Sequence, residues 1–149
     1  MEWYGYAGKN LFVDLSTGEI RIEDQDPKLL KEFVGGYSVA LKMLHDLLKA
    51  GTDPLSPENI LIFASMPLTG TQTPSSSRWG LIYKQPLNGC IGMGSAGMWF
   101  GTKLKQAGFD NLIIRGKSEK PTYLVIMDED VKILDAGDLW GKDIFIEGI

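Results

Sequence analysis

Cysteine is almost missing from this chain: Cys90 is the only one in 149 residues. A single thiol excludes an internal disulfide framework and any multi-cysteine metal centre built by this chain alone, and it fits a reducing compartment. Histidine is equally scarce, with His45 alone. There is no excess of positive charge. Lys and Arg total 15 against 19 Asp and Glu, a net charge of −4, which argues against a nucleic-acid surface. No apolar run approaches the roughly 18 residues of a membrane helix. The opening MEWYGYAGKN also lacks the charged-then-apolar layout of a signal peptide. These absences lead us to expect a cytoplasmic protein that binds neither nucleic acid nor membrane.

Glycine, by contrast, is abundant: 18 residues, above the usual share of about 7%. The glycines sit at turns and in residues 88–101, where backbone must bend or approach something closely. Between them, local patterns predict the elements. KNLFVDLSTGEIRIEDQD alternates apolar and polar residues on both sides of a Ser-Thr-Gly turn, which predicts a β-hairpin over Asn10–Glu23. In DPKLLKEFVGG, Asp26 is placed as an N-cap, Pro27 at the first helical position, and Gly35-Gly36 as the stop. YSVALKMLHDLLKAG carries apolar residues at three- and four-residue spacing and predicts an amphipathic helix closed by Gly51. ILIFASMP reads as a buried strand, and RWGLIYK, CIGM and NLIIRGK as further strands. SAGMWFGTKLKQAG reads as a helix, and Pro121–Asp135 as a second hairpin turning at Asp128–Asp130. A last helix is expected to start at Asp138. Strands and helices mix without strict βαβ alternation, which favours an α+β fold.

The stretch CIGMGSAGMWFG holds G-x-G-x-x-G at Gly92, Gly94 and Gly97. A dinucleotide fingerprint would lie near the start of a βαβ unit, after a solid strand, with an acidic residue about 20 positions on. Here the preceding strand is short, the stretch lies deep in the chain, and the next strand ends in Arg115 and Lys117. Two readings remain open from the residues: a tight, closely packed strand–helix turn, or a helix start whose Ser95, Ala96 and Gly97 N–H groups hold an anion.

The glycines do not stand alone. DPLSPENILIFASMPLTGT, then SSSRWGLIYKQPLNGCIGMGSAGMWFGTKLKQAGFDNLIIRGKSEKP, then DLWGK resemble the N-terminal domain of the aldehyde:ferredoxin oxidoreductase family. The opening GKNLFVDLSTGEI fits the same pattern, so the resemblance runs from about residue 5 to 143. It implies two packed β-sheets with flanking helices, forming a base for a tungsten- or molybdenum-bis(pterin) cofactor. It also implies oxidation of an aldehyde to a carboxylic acid with electrons passing to ferredoxin. By the same resemblance, Arg78 matches the arginine that binds the cofactor, and Gly94, Ser95, Ala96 and Gly97 match the turn that contacts the pterin. The family usually has Asn where Ser95 stands; serine reaches less far and lacks the amide's paired donor and acceptor. Arg78 suits phosphate, being a permanent cation with a planar fork.

The family's enzymes are much longer than this chain. Residues 1–149 are expected to form one cofactor-binding domain, inactive alone, with no catalytic residue and no metal ligand of its own. The [4Fe–4S] cluster and the rest of the cavity would come from domains absent here, or from a separate subunit. The other reading is a non-catalytic assembly module of the same fold, whose apolar face drives docking or homo-oligomer formation. Lesser candidates are assigned structural roles. His45 is placed on a helix surface with Asp46 directed elsewhere, and Cys90 in the core. Met98, Trp99 and Phe100 read as core or interface, Lys84 and Lys103 as solvated. The hydroxyls of PLTGT and TPSSSR either line a phosphate pocket or belong to a solvated loop.

Overall fold

The structure is a computed structural model and describes residues 4–143. Its framework is a six-stranded sheet in the order β2-β1-β6-β3-β4-β5. The strands are β1 (Lys9–Asp14), β2 (Ile20–Asp24), β3 (Ile60–Ser65), β4 (Trp79–Lys84), β5 (Ile91–Ala96) and β6 (Asn111–Arg115). Only β1 and β6 run parallel; every other neighbouring pair is antiparallel. A separate hairpin joins β7 (Thr122–Met127) to β8 (Asp130–Asp135).

Alternation along the central strands feeds two cores. On one face, Ile60, Ile62 and Ala64 of β3, Ile82 of β4 and Ile113 of β6 pack against α1 (Pro27–Phe33) and α2 (Tyr37–Leu47) through Leu30, Val39, Ala40, Met43 and Leu44. On the other, Leu11, Val13 and Leu112 meet Phe109 and Leu104, the latter from α3 (Trp99–Gln106). The β7–β8 hairpin closes this second face with Leu124, Ile126, Val131 and Ile133. The architecture is thus α+β, with two sheets and flanking helices.

Local signals explain most boundaries. Asp26 caps α1, its carboxylate accepting from Lys28 N at 2.8 Å, with Pro27 at the first turn. The β1–β2 turn uses Gly18 at φ +74°, a conformation that L side chains resist. The Asp14 carboxylate pins that turn by accepting from Ser16 N and Thr17 N, and ties it to β6 through Arg115 Nε at 2.8 Å.

Four expectations need correction. Residues 94–96 are not a helix start: β5 continues to Ala96 and α3 begins at Trp99. Cys90 is exposed rather than buried, because it falls in the β4–β5 turn, where its N–H is held by Asn88 Oδ1. His45 is on the surface as expected, but Asp46 turns back to it, with Nδ1 and Oδ1 3.1 Å apart, while also pairing with Lys42. At the chain's end, residues 137–141 form a turn rather than a helix, and the rest of the expected helix lies outside the described residues.

Candidate functional site

β4 and β5 pair with Trp79 opposite Ala96, Gly80 opposite Ser95 and Leu81 opposite Gly94. Carrying that register one step further sets Arg78 across from Gly97. A single antiparallel pair therefore gathers all five predicted site residues. Arg78 Nη1 donates to Ser95 Oγ at 3.2 Å. Both residues are exposed, and Arg78 makes no ion pair among the described residues. A guanidinium carries five N–H donors, so one contact to Ser95 orients the fork and leaves donors for the oxygens of a carboxylate or phosphate.

The backbone adds to this. β5 is the last strand of the sheet. Gln85 N donates to Cys90 O, and an antiparallel ladder alternates inward and outward residues. The amides of Met93 and Ser95 therefore face away from β4, on an open rim beside Arg78. Ser95 and Ala96 are strand residues, so the expected helix-terminal anion cradle is replaced by a strand edge next to a guanidinium.

The three glycines of the motif do different work. At Gly92, an added Cβ would lie 2.6 Å from the Tyr83 ring, so this glycine admits an aromatic side chain rather than a ligand. Gly94 has ordinary room, its nearest neighbour being Leu81 Cβ at 3.7 Å. Its carbonyl accepts from Tyr37 Oη at 2.9 Å. At Gly97 an added Cβ would sit 3.2 Å from Ser77 O. The Gly97 carbonyl accepts from Trp79 Nε1, and that of Met98 from Ser77 Oγ. Between them, Met98 is held at φ 68°, ψ −151°, a region that is essentially glycine-only. The strand–helix junction is thus fixed from both sides.

A dinucleotide site does not fit this geometry. β5 pairs only with antiparallel β4, and the strand after α3, β6, lies between β1 and β3. There is no parallel strand–helix–strand unit around the motif, and so no topological switch point for a nucleotide.

The hydroxyl-rich segment before Arg78 divides between the two readings. Thr71, Ser76 and Ser77 donate to the carbonyls of Leu68, Thr73 and Met98, which builds the turns. The same segment borders a shallow cleft with Met98 and Trp99. Lys84 is not a solvated charge, since its Nζ donates to Thr52 O at 2.6 Å; Lys103 is exposed. Phe100 packs its ring at a tilt against Trp79 and Phe63, while Trp99 and Met98 are 69% and 74% exposed.

Sequence reasoning missed three residues. Tyr37 reaches across Gly80 to the Gly94 carbonyl. Thr69, fully buried, bonds to the carbonyls of Ser76 and Arg78. Lys105 of α3 donates to the carbonyls of Gly5, Met66 and Pro67 at 2.8, 2.6 and 3.1 Å. Burial pushes its ammonium below the ordinary lysine value, and the Asp110 charge partly counters this. The GGY and PLTGT stretches carried the first two signals.

Fold and rim together define an α+β domain whose outer strand pair presents an arginine with no carboxylate partner among the described residues, beside small residues and open backbone. Residues 10–146 match the model of the aldehyde ferredoxin oxidoreductase N-terminal domain. Over 141 residues the chain is 44% identical to the tungsten-containing aldehyde ferredoxin oxidoreductase of Pyrococcus furiosus, covering 95% of this chain and 23% of that protein. It is 43% identical over 139 residues to the enzyme of the same name from Thermococcus kodakarensis, covering 93% of this chain and 23% of that one. Among solved structures it is similar to a chain of the active site complex BamBC of benzoyl coenzyme A reductase in complex with 1,5 dienoyl-CoA. That match has a TM-score of 0.92 and 35% identity, covering 95% of this chain and 22% of the other. The chain belongs to the aldehyde ferredoxin oxidoreductase family and corresponds to its N-terminal domain. It spans under a quarter of the length of these relatives.

Proposed function

We propose that this domain holds part of a tungsten- or molybdenum-bis(pterin) cofactor in an aldehyde:ferredoxin oxidoreductase-like enzyme. Arg78 and the Gly94–Gly97 segment contact the pterin and its phosphate. The observation that carries this is the Arg78 guanidinium, paired with no carboxylate among the described residues and oriented by Ser95 at the open strand edge. The donor set fits a phosphate-bearing group: a permanent cation, one hydroxyl, outward backbone amides and residues small enough for close approach. When bound, such a group supplies the two-electron chemistry that takes an aldehyde to a carboxylic acid.

This chain's own part is binding and orientation. Arg78 places its fork on the phosphate. Ser95, with a shorter reach than an amide, fixes the guanidinium rather than spanning to the ring system. Remaining domains or a separate subunit complete the cavity, hold a [4Fe–4S] cluster and pass electrons to ferredoxin, in the cytoplasm. One cysteine in this chain cannot supply four thiolate ligands. The exposed Ile91, Met93, Met98 and Trp99 beside the rim favour a second reading, a docking or homo-oligomerisation module.

The test is elemental analysis of the purified protein for tungsten and molybdenum, paired with fluorescence detection of released oxidised pterin. An inorganic phosphate titration of the wild type and of Arg78→Ala accompanies it. Pterin with metal, or phosphate binding that Arg78→Ala abolishes, supports the cofactor role. Absence of all three signals, with a concentration-dependent increase in mass, supports the docking module.

A further inference from the structure

We infer that Thr69 is a positioning residue for Arg78: its buried hydroxyl sets where the guanidinium stands by holding the main chain on which Arg78 is mounted. Thr69 is 0% exposed, yet it lies in a turn-rich loop where a buried polar side chain requires a partner. Its Oγ1 has two, Ser76 O at 3.1 Å and Arg78 O at 2.5 Å. A hydroxyl has one proton, so the two carbonyls share a single donor and are drawn to one point. Arg78 N in turn donates to Ser76 O at 2.8 Å. The three residues 76–78 are thereby wound around the Thr69 hydroxyl as around a post.

The post is itself fixed. Thr69 N donates to Met66 O at 2.9 Å, and Met66 N reaches Arg78 O at 3.4 Å. Lys105 Nζ takes Met66 O and Pro67 O from the α3 side. The Thr69 methyl is seated against α3, where an added Cβ on Gly101 would meet Thr69 Cγ2 at 3.3 Å. Both halves of the threonine side chain are therefore used, the methyl as an anchor and the hydroxyl as a clamp. Without the clamp, the two carbonyls keep only the long Met66 N–H contact and the Arg78 N–H, and the loop relaxes away from β5. The Arg78 side chain, which meets Ser95 through a single bond, moves with it.

The inference rests on the reading of Arg78 as the anion-binding group only for its functional consequence, and the experiment separates the two. Thr69→Val keeps shape and removes the hydroxyl; Thr69→Ser keeps the hydroxyl and removes the methyl. The first readout is the NMR position of the Arg78 Nε–Hε resonance in the 149-residue chain, with no ligand added. The second is titration with inorganic phosphate, using Arg78→Ala as the control. Thr69→Val is expected to shift the Arg78 resonance toward that of a free arginine and to weaken phosphate about five-fold, the size of one lost hydrogen bond. Thr69→Ser is expected to preserve both. A folded Thr69→Val whose Arg78 resonance is unchanged overturns the inference, as does a Thr69→Ser that behaves like Thr69→Val. Phosphate binding unaffected by Arg78→Ala refutes the anion-site reading, while the ligand-free resonance still decides the role of Thr69.

Discussion

Gly80 is the second residue of β4, at an ordinary strand conformation, where alanine is normally preferred over glycine by about 0.5–1 kcal/mol. Here the opposite is expected. A Cβ at this position would lie 2.2 Å from Tyr37 Cε1 and 2.7 Å from Cζ, well inside contact distance. The ring has to leave, and its hydroxyl then loses the Gly94 carbonyl. The lost hydrogen bond costs about 0.5–1.5 kcal/mol, and disturbed packing adds on the order of 1–3 kcal/mol. After the strand preference is subtracted, Gly80→Ala should destabilise the chain by about 0.5–4 kcal/mol. In a Tyr37→Ala background the clashing ring is gone, and the same substitution should stabilise by about 0.5 kcal/mol. Urea unfolding followed by tryptophan fluorescence measures all four corners of this cycle, with Trp79 adjacent to the substitution as reporter. An equal effect of Gly80→Ala in both backgrounds would refute the claim that this glycine exists to admit Tyr37. So would a neutral or stabilising effect in the wild type.

Two further expectations concern the sheet ends and the junction. The Asp14 carboxyl is drawn up by burial but held below its ordinary value of 3.8 overall by the Ser16 N–H, by Arg115 and by the Thr17 N–H. A depressed acid contributes stability that is present above that value and lost as pH falls through the folded value. Asp14→Asn should therefore be less stable at neutral pH and show a shallower loss of stability below about pH 4; identical acid limbs for the two proteins would refute this. Met98 occupies a glycine-only backbone region, so Met98→Gly should raise stability by about 1 kcal/mol, read as an increased thermal midpoint; a lower midpoint would show that its side chain matters more than its strain.

The sequence and the structure agree where a local rule is strong and part where a long-range contact overrides it. The first hairpin, the Asp26-Pro27 helix start and the central strands follow from alternation, capping and turn chemistry, each confined to a few neighbouring residues. The glycine motif shows the reverse. Read locally, Gly94, Ser95 and Ala96 look like the small residues of a helix start, since strand propensity disfavours glycine. They form strand because β4 offers a complete ladder beside them, and because contacts from other segments fix that ladder. Gly92 answers Tyr83, and the Gly94 carbonyl answers Tyr37. Neither partner is visible from spacing. The position of Arg78 is of the same kind. Its charge and its place before a strand are legible, but what aims it is a buried threonine nine positions earlier and a serine on the opposite strand. Side-chain chemistry was therefore readable from the residue types, whereas its placement depended on tertiary hydrogen bonds between segments that the pattern treats as unrelated loops. For this domain the consequence is specific. Resemblance can nominate Arg78 and Gly94–Gly97, but the hydrogen bonds that place them come from Thr69 and from Tyr37 reaching across Gly80, none of which carries an obvious functional signature.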